Sequence, residues 1–198
     1  MTLVLASASA ARQTMLYAAG VVFETMSPMV DEDEIRRALI AAGASPRAMA
    51  DALAEAKAVK VSRRRPGALV IGSDQILALD DGTILDKAAT RGELTAQLKT
   101  LRGTTHRLIS AAVIAENGTP VWRFADTAKL TMRGFSDAFL ETYLDACGEA
   151  LFGSVGGYHI EALGAQLFAR VEGDHFTIRG LPLIAVLDYL RTRGLLRV

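Results

Sequence analysis

The sequence predicts an α/β fold with a mixed, twisted central sheet flanked by helices. Strand-like and helix-like patterns alternate along the chain, which favours helices layered on a sheet. The apolar run at 68–72 is typical of a strand buried on both faces, and Asn117-Gly118 is a hairpin signal that predicts an antiparallel pair. The chain has 198 residues, 51% of them apolar, and no linker or repeat divides it, so we expect a single domain over 1–198.

The chain begins with a strand, a helix and a second strand. Residues 3–6 form a short apolar strand. Ser9 can cap the helix, which ends at Gly20 because glycine is favoured just past a helix C-terminus. The second strand is predicted over 21–26.

A long helix follows from Ser45-Pro46, since a hydroxyl cap and a proline at the first helical position are both favoured there. The basic triplet at 63–65 ends it, either as a solvated helix terminus that complements the helix dipole or as a phosphate or nucleic-acid patch. The buried strand at 68–72 comes next, and Asp74 is predicted to lie just past its end.

Turn signals organise the second half of the chain. Residues 80–82 predict a hairpin turn, and Asn117-Gly118 joins two long strands. Helix-like periodicity marks the remaining segments. The predicted elements are a helix over 90–101 closed by Gly103, strands over 106–115 and 120–132, and helices over 136–146 and 182–193.

Composition excludes several classes of protein. Lys and Arg together number 22, as do Asp and Glu, so no global positive field attracts a nucleic-acid polymer or an acidic membrane, and we expect neither as a partner. Cys147 is the single cysteine, which excludes an intramolecular disulfide and a Cys-rich metal cluster. The N-terminus lacks the basic segment of a signal peptide, and no apolar stretch reaches the ~18 residues of a membrane span, so we expect a cytoplasmic protein.

A segment near the N-terminus is suited to binding an anion. At 5–12, small residues and the hydroxyls of Ser7 and Ser9 lie where a strand gives way to a helix. Backbone N–H groups, the helix dipole and Arg12 can therefore converge on a phosphate. An ordinary serine cap with a surface arginine explains the pattern equally well, and the glycine pattern of a Walker loop is absent.

Two further segments offer carboxylates. The run at 30–34 can supply ligands to Mg²⁺, although a solvated helix N-terminus is the commoner structure for such a run. Gly72-Ser73-Asp74-Gln75 places a carboxylate and an amide at the carboxyl end of a buried strand, where open α/β sheets bind ligands. An aspartate in that position can also merely cap a turn.

Six motifs, in this order, resemble those of the Maf family of nucleotide pyrophosphatases. They are Leu-Ala-Ser-x-Ser-x-x-Arg at 5–12, Val-Asp-Glu at 30–32, Ala-Glu-Ala-Lys at 54–57, Gly-Ser-Asp-Gln at 72–75, Gly-x-x-His at 103–106 and Gly-Leu-Pro-Leu at 180–183. The resemblance implies a Maf/ITPase-like fold with two lobes around a cleft. It also implies a hydrolase, dependent on Mg²⁺ or Mn²⁺, that cuts a nucleoside triphosphate into the monophosphate and pyrophosphate.

The resemblance implies a role for each matched position. Asp74 is expected to be the general base that activates water, and Glu32 and Asp74 are expected to bind the metal. Because a triphosphate carries about four negative charges, cations must offset them before a nucleophile can approach. The groups expected to bind the phosphates are Ser7, Ser9, Arg12, Lys57 and Lys87.

Ala11, Gln75 and Glu161 are the positions expected to select the base. They are similar to the branch acting on 7-methyl-GTP, and the branch acting on dTTP and UTP is the alternative. A glutamate can accept hydrogen bonds from N1–H and the 2-amino group of guanine, whereas thymine offers one donor between two carbonyls. Ala11 replaces an aromatic residue of that branch, so a stacking ring is expected at Tyr158 or Phe152, with simple core packing as the equal alternative for Tyr158.

Several alternatives stay open at the level of sequence. The family usually has Gly-Lys-Pro where this chain has Asp86-Lys87-Ala88, so the loop around Lys87 can differ. A nucleotide-binding regulator of septum formation would use the same pocket without needing Asp74, and a phosphatase would release orthophosphate instead. His106 is more typical of a turn anchor than of a catalytic residue or a zinc ligand. The resemblance also suggests a homodimer.

Overall fold

The computed structural model describes residues 2–197 and contains a seven-stranded mixed sheet in the order β2-β1-β3-β5-β6-β7, with β4 paired to β3. The α/β architecture is confirmed. The strands are β1 (Leu3–Leu5), β2 (Glu24–Thr25), β3 (Leu69–Leu79), β4 (Ile84–Leu85), β5 (Thr105–Glu116), β6 (Thr119–Met132) and β7 (Phe168–Glu172). The α-helices are α1 (Ala10–Ala18), α2 (Glu32–Ala41), α3 (Pro46–Arg64), α4 (Arg91–Leu101), α5 (Asp137–Cys147), α6 (His175–Ile178) and α7 (Leu183–Thr192), and 3-10 helices span Gly148–Gly153 and Leu163–Leu167.

The predicted local signals act as expected. Ser45 accepts a hydrogen bond from the N–H of Ala48 at the start of α3, and Ser136 accepts one from Phe139 at the start of α5. Asn117 and Gly118 both have positive φ, 50° and 79°, which a two-residue turn between twisted strands requires. The predicted helices and the long β5–β6 hairpin are therefore confirmed.

Two strand boundaries differ from the prediction. Strand β3 does not end before Asp74: it continues to Leu79, and Asp74 pairs with Ala111 in the middle of the strand. The apolar run marks only the part of β3 that is also flanked by parallel β1, whereas antiparallel β5 extends the ladder along the whole strand. The strand expected over 21–26 contracts to Glu24–Thr25.

A gap in strand pairing explains why ligand-binding groups gather along β3. Strand β1 pairs with β3 as far as Ile71, and β4 pairs with the same edge only at Leu77 and Ala78. Between them, residues 72–76 have no partner strand on that edge within the part of the chain that the structure describes. Side chains from both faces of the sheet can therefore reach one opening.

Gly72 allows helix α3 to lie directly on β3. A Cβ at this position would be 2.2 Å from the carbonyl oxygen of Ala54 and 2.6 Å from the nitrogen of Ala58, closer than atoms can approach. Asp74 lies two residues further along the same face of the strand, and Lys57 lies beside Ala58 on the helix. The close packing thus brings Lys57 onto Asp74.

Two apolar clusters lie on the other face of β3 and β5. One surrounds β1, α1 and α7 and includes Leu5, Leu16 and Ile71. The other surrounds α4 and α5 and includes Leu98 and Leu130. Three polar residues of β3 and β5, Ser73, Gln75 and Ser110, lie between the two clusters, and the opening along β3 lies beside them. Among residues 2–197, every helix is too short or too polar to cross a bilayer.

Candidate active site

The opening along β3 is a cleft of about 860 Å³. That volume lies within the ~300–1,000 Å³ typical of small-molecule sites. All ten residues predicted to bind substrate or metal line it, so the structure brings together groups that are distant in sequence. They are Ser7, Ser9, Ala11, Arg12, Glu32, Lys57, Asp74, Gln75, Lys87 and Glu161.

Lys57 joins two carboxylates at the centre of the cleft. Its Nζ lies 2.6 Å from Oδ1 of Asp74 and 2.8 Å from Oε2 of Glu32. Lys57 and Asp74 are only 5% and 4% exposed. The other oxygen of Asp74, Oδ2, is buried and accepts no hydrogen bond from residues 2–197. Because buried carboxylate oxygens are almost always paired, Oδ2 is the position at which a ligand atom would bind.

The same carboxylates fit a divalent cation that is shared with a substrate. Mg²⁺ is commonly bound by one or two carboxylates together with phosphate oxygens. Glu32 and Asp74 supply two carboxylates, and Oδ2 of Asp74 is unpaired. The described residues form no cluster of three or more His, Cys, Asp or Glu side chains able to hold a metal, so substrate or water oxygens would complete the coordination.

The segment before α1 caps that helix and contacts the side chain of Arg12. Ser9 caps α1, and its own N–H donates to Oγ of Ser7 at 3.1 Å. Arg12 donates through Nε to the carbonyl oxygen of Gly180 at 2.7 Å, and its Nη1 lies 3.4 Å from Oγ of Ser7. Burial lowers the pKa of Arg12, and nearby Asp74 opposes that shift. The guanidinium is thus fixed beside the central carboxylates.

Lys87 provides a cation at the mouth of the cleft. Desolvation is the main cause that lowers its pKa, and the positive charges of Arg12 and Lys57 add to the effect. Within residues 2–197, no carboxylate forms an ion pair with its ammonium group. Lys87 is therefore available to an incoming anion.

Asp86, where the family usually has glycine, is held away from Lys87. Its carboxylate forms an ion pair with Arg36 of α2, and its carbonyl oxygen accepts a hydrogen bond from Nε2 of Gln97 at 2.8 Å. Ala88, in place of the usual proline, is buried in the apolar cluster around α4. The altered loop therefore has its own anchors on both sides of Lys87.

The wall expected to contact a base contains Gln75 and Glu161. Nε2 of Gln75 lies 3.0 Å from each of three acceptors, Oγ of Ser110 and the carbonyl oxygens of Thr177 and Ile178. These acceptors fix the amide, so Oε1 is the atom of Gln75 left for a ligand. Glu161 accepts a hydrogen bond from Nε of Arg179 at 2.8 Å.

Tyr158 is a packed aromatic residue that also lines the cleft. Its hydroxyl lies 2.6 Å from Nε2 of His106, and its ring makes an edge contact with Phe168 at 4.8 Å between centroids. Phe152 packs against the same apolar cluster. His106 is fully buried, lies in strand β5 and bonds the hydroxyl of Tyr158, so it is a packed residue of the sheet.

The chain resembles known proteins over nearly its whole length. The sequence profile of Maf-like proteins matches residues 2–193. The chain belongs to the Maf family. It is 55% identical over 194 residues to the nucleoside triphosphate pyrophosphatase of Caulobacter vibrioides, covering 98% of this chain and 96% of the relative. It is 51% identical over 195 residues to the protein of the same name from Sphingopyxis alaskensis, covering 98% of each chain, and 53% identical over 193 residues to nucleoside triphosphate pyrophosphatase 1 of Jannaschia sp., covering 98% and 97%.

Arg36 and residues 178–180 line the Maf cleft but were not predicted as site residues from sequence. Their only signal was the motif at 180–183, which begins with Gly180. Arg179 immediately precedes that motif, and Ile178 lies in a four-residue helix too short to show periodicity. Arg36 lies one turn after Glu32. The acidic run therefore indicated the helix that carries Arg36, but not its ion pair with Asp86.

Proposed function

We propose that this Maf protein hydrolyses a nucleoside triphosphate to the nucleoside monophosphate and pyrophosphate. The observation that supports this most directly is the buried, unpaired Oδ2 of Asp74 in a cleft that also contains Arg12, Lys57 and Lys87. A carboxylate that can accept a proton beside three cations suits attack by water on a polyphosphate. The names of the three relatives support the same reaction class.

Asp74 would act as the general base. Lys57 binds Oδ1 and so fixes the carboxylate, leaving Oδ2 to orient and deprotonate a water molecule that attacks the α-phosphorus. A positioned base contributes ~10²- to 10⁴-fold to the rate. Pyrophosphate leaves from the opposite side of the α-phosphorus.

The cations of the cleft would offset the charge of the phosphates. Arg12 is held by Gly180 and Ser7, so its guanidinium binds an anion with little loss of side-chain freedom. Lys87 can move onto a terminal phosphate without breaking an ion pair with another described residue. Ser7 and Ser9 add hydroxyl and backbone donors at the positive end of α1.

Glu32 and Asp74 would hold the divalent metal, Mg²⁺ or Mn²⁺. Bound there with substrate oxygens, the metal would supply Lewis-acid stabilisation of the phosphate charge. Lys57 contacts both carboxylates, so its ammonium keeps them in place in the free protein.

A guanine nucleotide is the proposed substrate, with 7-methyl-GTP or another modified triphosphate as the candidate. Oε1 of Gln75 and the carboxylate of Glu161 are acceptors, which suit the N–H donors of a guanine edge better than the carbonyls of thymine or uracil. Hydrolysis of dTTP and UTP is the alternative within the family. The cytoplasmic location and the homodimer stay predictions.

The test is to incubate the purified protein with Mg²⁺ or Mn²⁺ and 7-methyl-GTP, GTP, dTTP or UTP, and to measure pyrophosphate and orthophosphate separately. We expect pyrophosphate from at least one nucleotide. Asp74→Asn should lower kcat by at least about 100-fold with an unchanged circular dichroism spectrum. Asp188→Asn, at an exposed position on α7, is the matched control and should retain activity.

Three outcomes would contradict the proposal. Release of orthophosphate alone would indicate a phosphatase. Tight nucleotide binding without turnover would favour the regulator of septum formation. Full activity in Asp74→Asn would remove Asp74 from the role of base.

A further inference from the structure

Four consecutive residues connect the phosphate-binding and base-facing parts of the cleft. The carbonyl oxygens of Thr177 and Ile178 accept from Gln75, and the carbonyl oxygen of Gly180 accepts from Arg12. Between them, Arg179 donates to Glu161. The side chain of Arg179 therefore reaches the carboxylate of Glu161 on the base-facing wall.

This segment holds Arg179 in a defined position. Thr177 is fully buried, its N–H donates to Asp174 at 2.8 Å, and its hydroxyl bonds Asp126 at 2.9 Å. Gly180 has φ of 97°, a conformation that favours glycine. The side chains of Arg179 and Glu161 are 19% and 33% exposed, so the ion pair is partly withdrawn from bulk water. An ion pair in such a place is screened less than one on an open surface.

The pair changes what the wall can recognise. A free carboxylate at position 161 would attract a cationic base such as 7-methylguanine over a neutral one, because opposite charges interact strongly in a partly desolvated site. Arg179 neutralises that charge. The N–H groups of Arg179 that do not contact Glu161 can only donate hydrogen bonds, so they suit a carbonyl such as O6 of guanine.

We infer that Arg179 is a specificity-determining residue, which pairs with Glu161 to limit the preference for a cationic base and offers donors to a base carbonyl. This inference rests on the proposed function, because it assumes that the nucleotide base lies at Glu161. It goes beyond the expected roles of Ala11, Gln75 and Glu161, since it assigns selectivity to the partner of Glu161.

The experiment compares kcat/KM for 7-methyl-GTP and for GTP in wild type and variants. Arg179→Met should raise the ratio of 7-methyl-GTP to GTP by roughly tenfold, because it uncovers the carboxylate. The Arg179→Met, Glu161→Gln double variant should return the ratio to near the wild-type value, and Arg179→Lys should keep it there. Arg170→Met is the matched control, because Arg170 forms an exposed ion pair with Glu172 outside the cleft.

A binding measurement separates this inference from the proposed function. Calorimetry with GMP and 7-methyl-GMP gives the same ratio without turnover. If no triphosphate releases pyrophosphate, the proposed function fails while the binding ratio still tests Arg179. An unchanged ratio in Arg179→Met, or an equal loss for both nucleotides, would overturn the inference and leave Arg179 as a structural clamp. Persistence of the shifted ratio in the double variant would also overturn it.

Discussion

The two ends of the cleft are built from different interactions. At the end around Lys57, which we propose binds the phosphates and call the phosphate end, charged side chains meet between regular elements: Lys57 of α3 bridges Asp74 of β3 and Glu32 of α2. At the end around Gln75, Tyr158 and Glu161, which we propose faces the base and call the base end, hydrogen bonds between uncharged groups hold irregular segments. Tyr143 donates to the carbonyl oxygen of Gly157 at 3.0 Å, and Tyr158 bonds His106.

This difference separates what must stay fixed from what can be adjusted. A buried charge at the phosphate end needs its partner for folding, because an unpaired charge in the interior is costly. At the base end, burial raises the pKa of the Tyr143 and Tyr158 hydroxyls, so the supports stay neutral. The ion pair of Glu161 and Arg179 is separate from the hydrogen bonds of Tyr143 and Tyr158. A substitution in this pair can therefore change the charge of the base end without unfolding it.

Removal of Lys57 should have the largest effect on stability. Lys57→Met keeps most of the side-chain volume but leaves Asp74 buried without its ion-pair partner. We expect the free energy of unfolding to fall by about 3–5 kcal/mol, together with loss of pyrophosphate release. Urea unfolding at neutral pH measures the change.

Arg123→Met is the control for Lys57→Met. Arg123 pairs with Asp51 and Glu55 on the outer side of the same helix α3, and its side chain is 51% exposed. Its loss should cost about 0–1 kcal/mol. Equal destabilisation of the two variants would mean that the phosphate end does not depend on buried charge.

Gly72→Ala tests the packing that brings Lys57 to Asp74. The new Cβ would overlap the backbone of α3 at Ala54 and Ala58, which no side-chain rotation can relieve. We expect a loss of about 1–3 kcal/mol and a lower kcat, since the helix must move away from β3.

The matched control is Gly92→Ala in helix α4. A Cβ there would meet only Oγ1 of Thr90, at 3.9 Å, so alanine should be neutral or stabilising in a helix. If Gly72→Ala behaves like Gly92→Ala, the close approach of α3 to β3 is not what positions Lys57.

The difference between the two ends also explains how much of the cleft could be predicted from the sequence. At the phosphate end, Ser9, Lys57 and Asp74 belong to short motifs that resemble those of the Maf family, so the resemblance predicted that they share one site. The continuation of β3 through Asp74 was missed because polar residues interrupt the apolar pattern, although β5 pairs with them throughout. The contact of Glu161 with Arg179 depends on the path of two irregular segments, which periodicity does not specify.

Acid should lower the stability of the protein through His106, which lies at the base end. Desolvation lowers the pKa of His106 from its ordinary value of 6.5 to about 4. Between these values the unfolded chain binds a proton that the native protein does not, so the free energy of unfolding falls as the pH drops below about 6.5. At pH 5 the free energy of unfolding is lower by about 2 kcal/mol than at neutral pH, and above pH 7 the effect of His106 no longer changes with pH.

Urea unfolding of wild type and His106→Gln at pH 7.5 and pH 5.0 measures this contribution. The wild type should lose about 2 kcal/mol more than the variant between the two pH values, because glutamine does not titrate. Tyr158→Phe removes the hydroxyl that bonds His106 but keeps the imidazole buried, so it should be less stable at both pH values yet keep the wild-type pH dependence. Parallel loss in wild type and His106→Gln would show that acid acts on groups other than His106 and would contradict this prediction.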